Sequence, residues 1–240
     1  MMLNKKSKPN KVKKVKTGVS GLDTLLGGGI PEGHTVLVSG GAGCGKTTFL
    51  CQYLNEGLKN GETCLFITLE ESKKQISEDA AQFGWDFEKY EKQKKLYLKQ
   101  YNPFELSGDL SLNSFEHYIE YIKATRVVID PISLFAAFVA HEGIESVPGE
   151  YGIRRGLFFV IDRLRKANTT TMMSTEIVEG QGGKLSRYGA EEFVADGSIV
   201  LSVYESLDTR KIGVRKMRGI KHTLKSFEME IKKDGIAVKL

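Results

Sequence analysis

Short apolar runs, many of them β-branched, alternate along this chain with stretches of helical period. His34–Ser39 (HTVLVS) is apolar enough to be a strand buried on both faces, and Lys46–Lys59 after it carries an amphipathic helical pattern. The alternation continues with strands at Thr63–Leu69, Lys95–Lys99, Arg126–Asp130 and Thr169–Thr175. Helices are predicted at Ser72–Phe83, Ser111–Lys123 and Gly152–Lys166. Strands separated by helices in this way predict an α/β fold with a mostly parallel sheet flanked by helices. After Gly197 the rhythm changes. Ser198–Tyr204, Lys211–Met217, Phe227–Lys232 and Ile236–Leu240 are strands with short connections, which predicts an antiparallel C-terminal extension on one edge. The polar, glycine-rich stretch Glu179–Gly189 separates the two regions and is expected to be a mobile loop.

The chain has 240 residues, 40% of them hydrophobic and 27% charged, which suits one well-buried α/β domain. No stretch approaches the roughly 18 apolar residues of a membrane span. The formal charge of +5 is unevenly placed. Lys5, Lys6, Lys8, Lys11, Lys13, Lys14 and Lys16 are accompanied by no acid, so residues 1–16 carry +7 and the remainder, with 28 bases and 30 acids, carries −2. Residues 1–16 are therefore expected to be a disordered basic tail, and residues 17–240 the folded domain. No apolar segment follows these lysines to make an export signal. The three cysteines, Cys44, Cys51 and Cys64, lack metal-ligand spacing, so reduced thiols and a cytoplasmic location are expected.

Gly40-Gly41-Ala42-Gly43-Cys44-Gly45-Lys46-Thr47 fits G-x-x-x-x-G-K-[ST] in full, between a predicted strand and a predicted helix. Glycines let backbone N–H groups converge on phosphate oxygens, and the helix adds the positive end of its dipole. Lys46 can reach the β- and γ-phosphates, and the Thr47 hydroxyl can hold Mg²⁺. Cys44 next to the helix start could be a stabilised thiolate, or simply a small inert residue. Asp130 closes the apolar strand Arg126–Asp130, at the sheet edge where ligands bind and where an acid can order Mg²⁺. Glu70 and Glu71 follow Thr63–Leu69 in the same way. Carboxylates there can polarise a water for attack on a γ-phosphate, or can serve only to open the next helix.

Further segments, taken in order, are more specific. Thr17–Gly33 (TGVSGLDTLLGGGIPEG), Thr68–Ser72 (TLEES), Phe83–Trp85 (FGW), Ser186–Gly189 (SRYG), Glu192–Gly197 (EFVADG) and Lys216–Gly219 (KMRG) together resemble the KaiC-type branch of the RecA-like P-loop ATPases, from Thr17 to the C-terminus. The resemblance implies a RecA-like core that binds ATP with Mg²⁺ at a subunit interface, usually in a hexameric ring. It implies nucleotide contacts from Gly41, Ala42, Gly43, Cys44, Gly45, Lys46, Thr47 and Thr48, and metal contacts from Thr47 and Asp130. Glu70 and Glu71 match its catalytic glutamates. Lys216 and Arg218 match positions that reach a neighbour's nucleotide and aid catalysis, and Met217 and His222 match further nucleotide-contacting positions. An independent reading of the strand pattern puts Lys216 and Arg218 on one face, with Arg215 and Met217 on the other. Gln82 and Ile220 depart from the family's polar residue before Phe-Gly-Trp and its threonine after Arg-Gly. Circadian KaiC proteins carry two such domains and this chain has one, so timekeeping and autophosphorylation are not expected.

These features predict an ATPase whose nucleotide state drives rearrangement of subunits or of an unidentified effector protein. An ATP-gated binding module with scarcely any turnover is a second reading, and a recombinase-like DNA-binding ATPase a third. The core charge of −2, and only Lys184 and Arg187 in Glu179–Gly189, weigh against nucleic acid. Protein kinase chemistry would use the same parts and ranks below hydrolysis.

Overall fold

The computed structural model describes residues 12–101, 112–136, 150–177 and 185–240. A nine-stranded sheet with helices on both faces organises them. In chain order the main sheet takes β3 (Thr35–Gly40), β4 (Cys64–Thr68), β5 (Leu96–Gln100), β6 (Arg126–Asp130), β7 (Thr170–Glu176) and β8 (Gly197–Tyr204). It continues with β9 (Thr209–Met217), β10 (Ser226–Lys232) and β11 (Gly235–Val238). Across the sheet the order is β11-β10-β9-β8-β3-β7-β6-β4-β5. All neighbours from β8 to β5 pair in parallel, and β8-β9, β9-β10 and β10-β11 pair antiparallel. The expected extension is therefore present, with one correction. Ser198–Tyr204 belongs to the parallel core, because the chain between β7 and β8 is long enough for a crossover, and only the short β8–β9 connection forces reversal.

The larger helices fall close to their predicted places: α2 (Lys46–Lys59), α3 (Lys73–Gln82), α5 (Leu112–Ile122) and α6 (Glu150–Lys166). Sequence periodicity missed α1 (Leu22–Leu25), α4 (Phe87–Lys92) and α7 (Glu191–Val194), each too short to show it. Central strand β3 is buried along its whole length. Val36 and Val38 pack into one apolar cluster with α2, and Leu37 packs into a second with α5 and α6, as alternation in a doubly covered strand requires. Of the expected mobile loop Glu179–Gly189, residues 179–184 lie outside the described residues.

The folded domain begins earlier than Thr17. A small second sheet pairs β1 (Lys14–Val15) with β2 (Ile30–Pro31), and Lys14 Nζ donates to Leu26 O at 2.7 Å and Gly27 O at 2.8 Å. Backbone pairing outweighs the local charge here. Residues 1–11 lie outside the described residues.

At the opening end of the sheet Arg126 is only 1% exposed, with every charge-bearing group answered. Its guanidinium meets Glu62 twice, at 2.9 and 2.8 Å, and donates to Lys16 O and Tyr53 O at 2.8 Å each. It also stacks 4.7 Å from the Tyr53 ring centroid. This cluster clamps α2 to β6 and explains Gly57 in the middle of the helix. A Cβ at Gly57 would lie 2.5 Å from Arg126 Cδ and Nε. Helix propensity alone favours Gly57→Ala by about 1 kcal/mol. Because Arg126 is held on every side, the substitution is expected instead to destabilise the fold by about 1–3 kcal/mol, read as a lower urea midpoint at unchanged m-value. A midpoint at or above wild type would show that Arg126 can move aside.

Candidate nucleotide site at the carboxyl edge of the sheet

Four adjacent parallel strands, β3, β7, β6 and β4, end at the same edge of the sheet, with β3 and β7 reaching about two residues beyond β6 and β4. Gly40 is in register with Glu176, and Thr68 with Asp130. Side chains that follow these strands therefore converge on one edge, the place where open α/β sheets bind ligands.

The glycine loop leaves β3 at this edge and enters α2. Gly43 (φ 67°) and Gly45 (φ 95°) take the left-handed conformation that side chains resist, and Gly45 is the N-cap of α2. A Cβ on Gly41 or Gly43 would meet nothing within 4 Å, so the concave side of the loop is open. Lys46 Nζ donates to Gly40 O at 3.0 Å and Gly41 O at 2.9 Å, which folds the ammonium over the loop. Thr47 and Thr48 open the first turn of α2 behind it. Ala42 lies at the exposed tip. Cys44 is buried, and burial pushes its thiol above the usual range in spite of nearby Lys46. That is the setting of a small packed residue and the reverse of an activated thiolate.

Asp130 is joined to the loop directly. Thr47 Oγ1 donates to its Oδ2 at 2.9 Å, and Ser174 Oγ donates to its Oδ1. Burial raises this carboxyl, while the two hydroxyl hydrogen bonds and Lys46 oppose the rise. Two hard oxygen ligands thus meet at the mouth of the loop. This donor set fits Mg²⁺, which takes one or two protein oxygens and completes its shell with phosphate oxygens and water. Among the described residues no group of three or more His, Cys, Asp or Glu forms a separate metal cage.

Glu70 and Glu71 leave β4 beside Asp130. Thr68 closes their turn, its Oγ1 donating to Glu71 O at 2.9 Å and accepting from Glu71 N at 3.1 Å. Ser72 is the N-cap of α3, accepting from Gln75 N at 3.1 Å. Both acids therefore precede the cap, outside the first turn of the helix, and a helix-opening role does not explain them. Burial raises the Glu70 carboxyl, with Glu176 and Asp130 adding to the rise and Lys46 and Arg187 opposing it. Burial likewise raises Glu71, with contributions from Asp130, Asp79 and Glu70. Among the described residues, Glu71 Oε2 is buried with no protein donor. Ser174 and Glu176 complete the edge and were missed from the sequence. The signal was present, since β7 ends in Ser-Thr-Glu as β6 ends in Asp.

Lys216, Met217, Arg218 and His222 are not part of this edge. Arg218 N donates to Asp196 O, and Asp196 N to Thr35 O, so Arg218 is level with the first residue of β3, whereas the glycine loop leaves from the last. The six residues of β3 put roughly 16 Å between the two levels. Lys216 Nζ donates to Ala195 O at 2.6 Å and Glu192 O at 3.0 Å; Arg218 pairs with Asp196 at 2.9 Å, as does Arg165 at 2.8 Å. Lys216 and Arg218 share the face expected of them. Arg215 does not share the buried face of Met217, because a bulge between Ser198 and Ile199 leaves it outside the register and exposed. His222 lies in the β9–β10 connection, its Nδ1 3.2 Å from Thr223 O.

Comparison with known proteins agrees with this architecture. The family model described as "ATPase: KaiC" matches residues 15–240. Circadian clock oscillator proteins KaiC of Prochlorococcus marinus and of Parasynechococcus marenigrum are 38% and 34% identical over 97% and 95% of the chain. The chain spans 46% and 45% of their respective lengths, about half of each. The crystal structure of a KaiC-like protein from the hyperthermophilic archaeon Pyrococcus horikoshii superposes with a TM-score of 0.81 at 39% identity, covering 96% of this chain and all of that one. A glycine loop, an acid-lined strand edge and a sheet of this order, found together with these matches, show that the chain belongs to the KaiC family of RecA-like P-loop ATPase domains.

Proposed function

We propose that this chain is a Mg²⁺-dependent ATPase whose nucleotide is held between subunits of a homo-oligomeric ring, hexameric as the resemblance implies. The observation that carries the reading is the carboxyl edge itself, where an open glycine loop, the Thr47–Asp130 pair and two raised glutamates meet. In this reading the loop N–H groups and Lys46 bind the ATP phosphates, with Gly41–Thr48 lining them. Thr47 and Asp130 hold Mg²⁺, which neutralises phosphate charge when bound. Glu70 or Glu71 accepts a proton from the attacking water; a carboxyl raised by burial is a better base at neutral pH than an exposed one. Lys216 and Arg218 are too far from their own glycine loop to serve it. Two cations on one face, near the surface, are instead suited to a polyphosphate carried by a neighbouring subunit, with Met217 and His222 beside them.

Turnover is proposed to rearrange subunits or an effector protein in the cytoplasm. Among the described residues no helix is long and apolar enough to cross a membrane. The non-hydrolysing module and the recombinase-like reading make different forecasts. The first expects no steady-state turnover by the pure protein, and the second expects salt-sensitive stimulation by single-stranded DNA.

Lys46→Ala is expected to abolish tight ATP binding, measured by calorimetry, because it removes the charge opposite the β- and γ-phosphates. The double variant Glu70→Gln, Glu71→Gln is expected to bind ATP and to hydrolyse it about 10²-fold or more slowly. A base works only when deprotonated, so wild-type activity should fall as pH drops through the raised glutamate range. That acid limb should lie above the ordinary carboxylate value, and should vanish in the double variant. Wild-type turnover in that variant would remove both glutamates from the mechanism.

For the interface, Arg218→Ala protein is expected to bind ATP and to lose about 10³-fold or more in rate, the scale of an arginine finger. Co-expression with Lys46→Ala protein should restore activity where an intact loop meets an intact Arg218. Mixed oligomers without rescue, together with full activity in a monomer, would place Arg218 outside the reaction.

A further inference from the structure

Between the two ends of the sheet runs one continuous set of polar contacts, and it starts at a residue that the hydrolysis reading leaves unused. Glu176 is the last residue of β7, in register with Gly40, and Ile177 N donates to Gly40 O at 3.2 Å, which locks this strand end to the first residue of the glycine loop. Alternation along β7 places Glu176 on the face of Ser174, hence on the Asp130 and α2 side. Its carboxylate is ion-paired with Arg187. The backbone of Arg187 lies on the opposite face, where its N–H donates to Thr175 Oγ1 at 3.3 Å. Arg187 therefore arches over the end of β7 and delivers its guanidinium to the glycine-loop side, within electrostatic reach of Glu70.

The segment behind Arg187 is tied to α7. Ser186 Oγ donates to Glu192, and Tyr188 N and Ala190 N donate to Glu191 at 3.3 and 3.1 Å. The carbonyls of Glu192 and Ala195, at and just beyond α7, receive Lys216 Nζ, and Asp196 receives Arg218. Residues 185–196 thus connect the glycine-loop edge to the two cations at the far end of the sheet.

We propose that Glu176 and Arg187 form a nucleotide-responsive latch, through which the phosphate state of a subunit's own site sets the placement of the Lys216 and Arg218 that it offers to its neighbour. This inference rests on the proposed interface ATPase. Glu176 is a positioning residue that parks Arg187 at the edge of the site. The pair is two-fifths exposed on both sides, so it is screened and weakly held. A γ-phosphate carries more charge than a carboxylate and accepts guanidinium bidentately, so it competes for Arg187. When Arg187 moves toward it, the backbone of residues 186–190 is drawn along, and α7 and the Lys216 contacts with it. Loss of the γ-phosphate returns Arg187 to Glu176. The two arrangements differ in which anion holds one guanidinium, the differential contact that a ligand-driven switch needs.

The test is hydrogen–deuterium exchange of the full chain in its oligomeric form, with Mg²⁺ and either ADP or a non-hydrolysable ATP analogue. In wild type, both nucleotides should protect 41–47, and the two should differ over 185–196. Arg187→Ala and Glu176→Gln should each lose the difference over 185–196 while keeping protection at 41–47. The double variant should lose no more than either single one, and Arg187→Lys should retain part of the response. Both positions are surface pairs, and unchanged circular dichroism and unfolding midpoint would exclude a folding effect. Protection at 41–47 with no nucleotide-dependent difference over 185–196 in wild type would overturn the latch and leave the ATP site standing. So would a difference that survives in both variants. Absence of protection at 41–47 would remove the ATP site and the latch together.

Discussion

The register of the parallel strands is the constraint on which the candidate site depends. Parallel pairing of β3, β7, β6 and β4 brings four chain reversals to one edge, and hydrogen bonding holds neighbouring strand ends about 4.8 Å apart. Gly40, Glu176, Asp130 and Glu70 come from places far apart in the chain, yet the sheet sets them in a row. The Thr47–Asp130 hydrogen bond then fixes the start of α2 against β6. A shift of one residue in β6 would turn Asp130 to the other face and place an apolar side chain beside the glycine loop.

Placing acids together at such an edge has an electrostatic cost, and the structure meets it unequally. Asp130 receives two hydroxyl donors, and Glu176 has Arg187. Glu71 has one buried oxygen with no donor among the described residues, and Glu70 lies near the like charges of Glu176 and Asp130. Glu70 and Glu71, the two candidates for the single base of the proposed reaction, are both left raised by burial and like charge. The opposite end of the sheet is treated differently. There Arg126 is fully paired and stacked, and Asp196 is held below the ordinary range by Thr35, Arg218 and Arg165 against the effect of burial.

Much of the fold was legible in the sequence because its signals are local. β-branched runs of five to seven residues and helices of ten or more have periods that a short window detects, and α2 and β6 were bounded to the residue. The glycine loop was legible for the same reason, since eight consecutive residues carry both its geometry and its chemistry. β1 and β2 were not, because two-residue strands have no period and exist only through their pairing. The bulge that displaces Arg215 was hidden too, as it arises from the mismatch between β8 and β9 and from nothing within β9 itself.

Read alone, the sequence settles that strands and helices alternate, that a glycine loop of the G-x-x-x-x-G-K-[ST] pattern follows β3, and that acids close β4 and β6. Each of these follows from neighbours along the chain. Which strand ends lie side by side, and so which acids surround Glu70, follows from the assembled sheet. It also decided that Lys216 and Arg218 face away from their own loop by the length of β3. Adjacency and distance of this kind depend on strand order and register, which are set when burial and backbone hydrogen bonding are satisfied for the whole sheet at once.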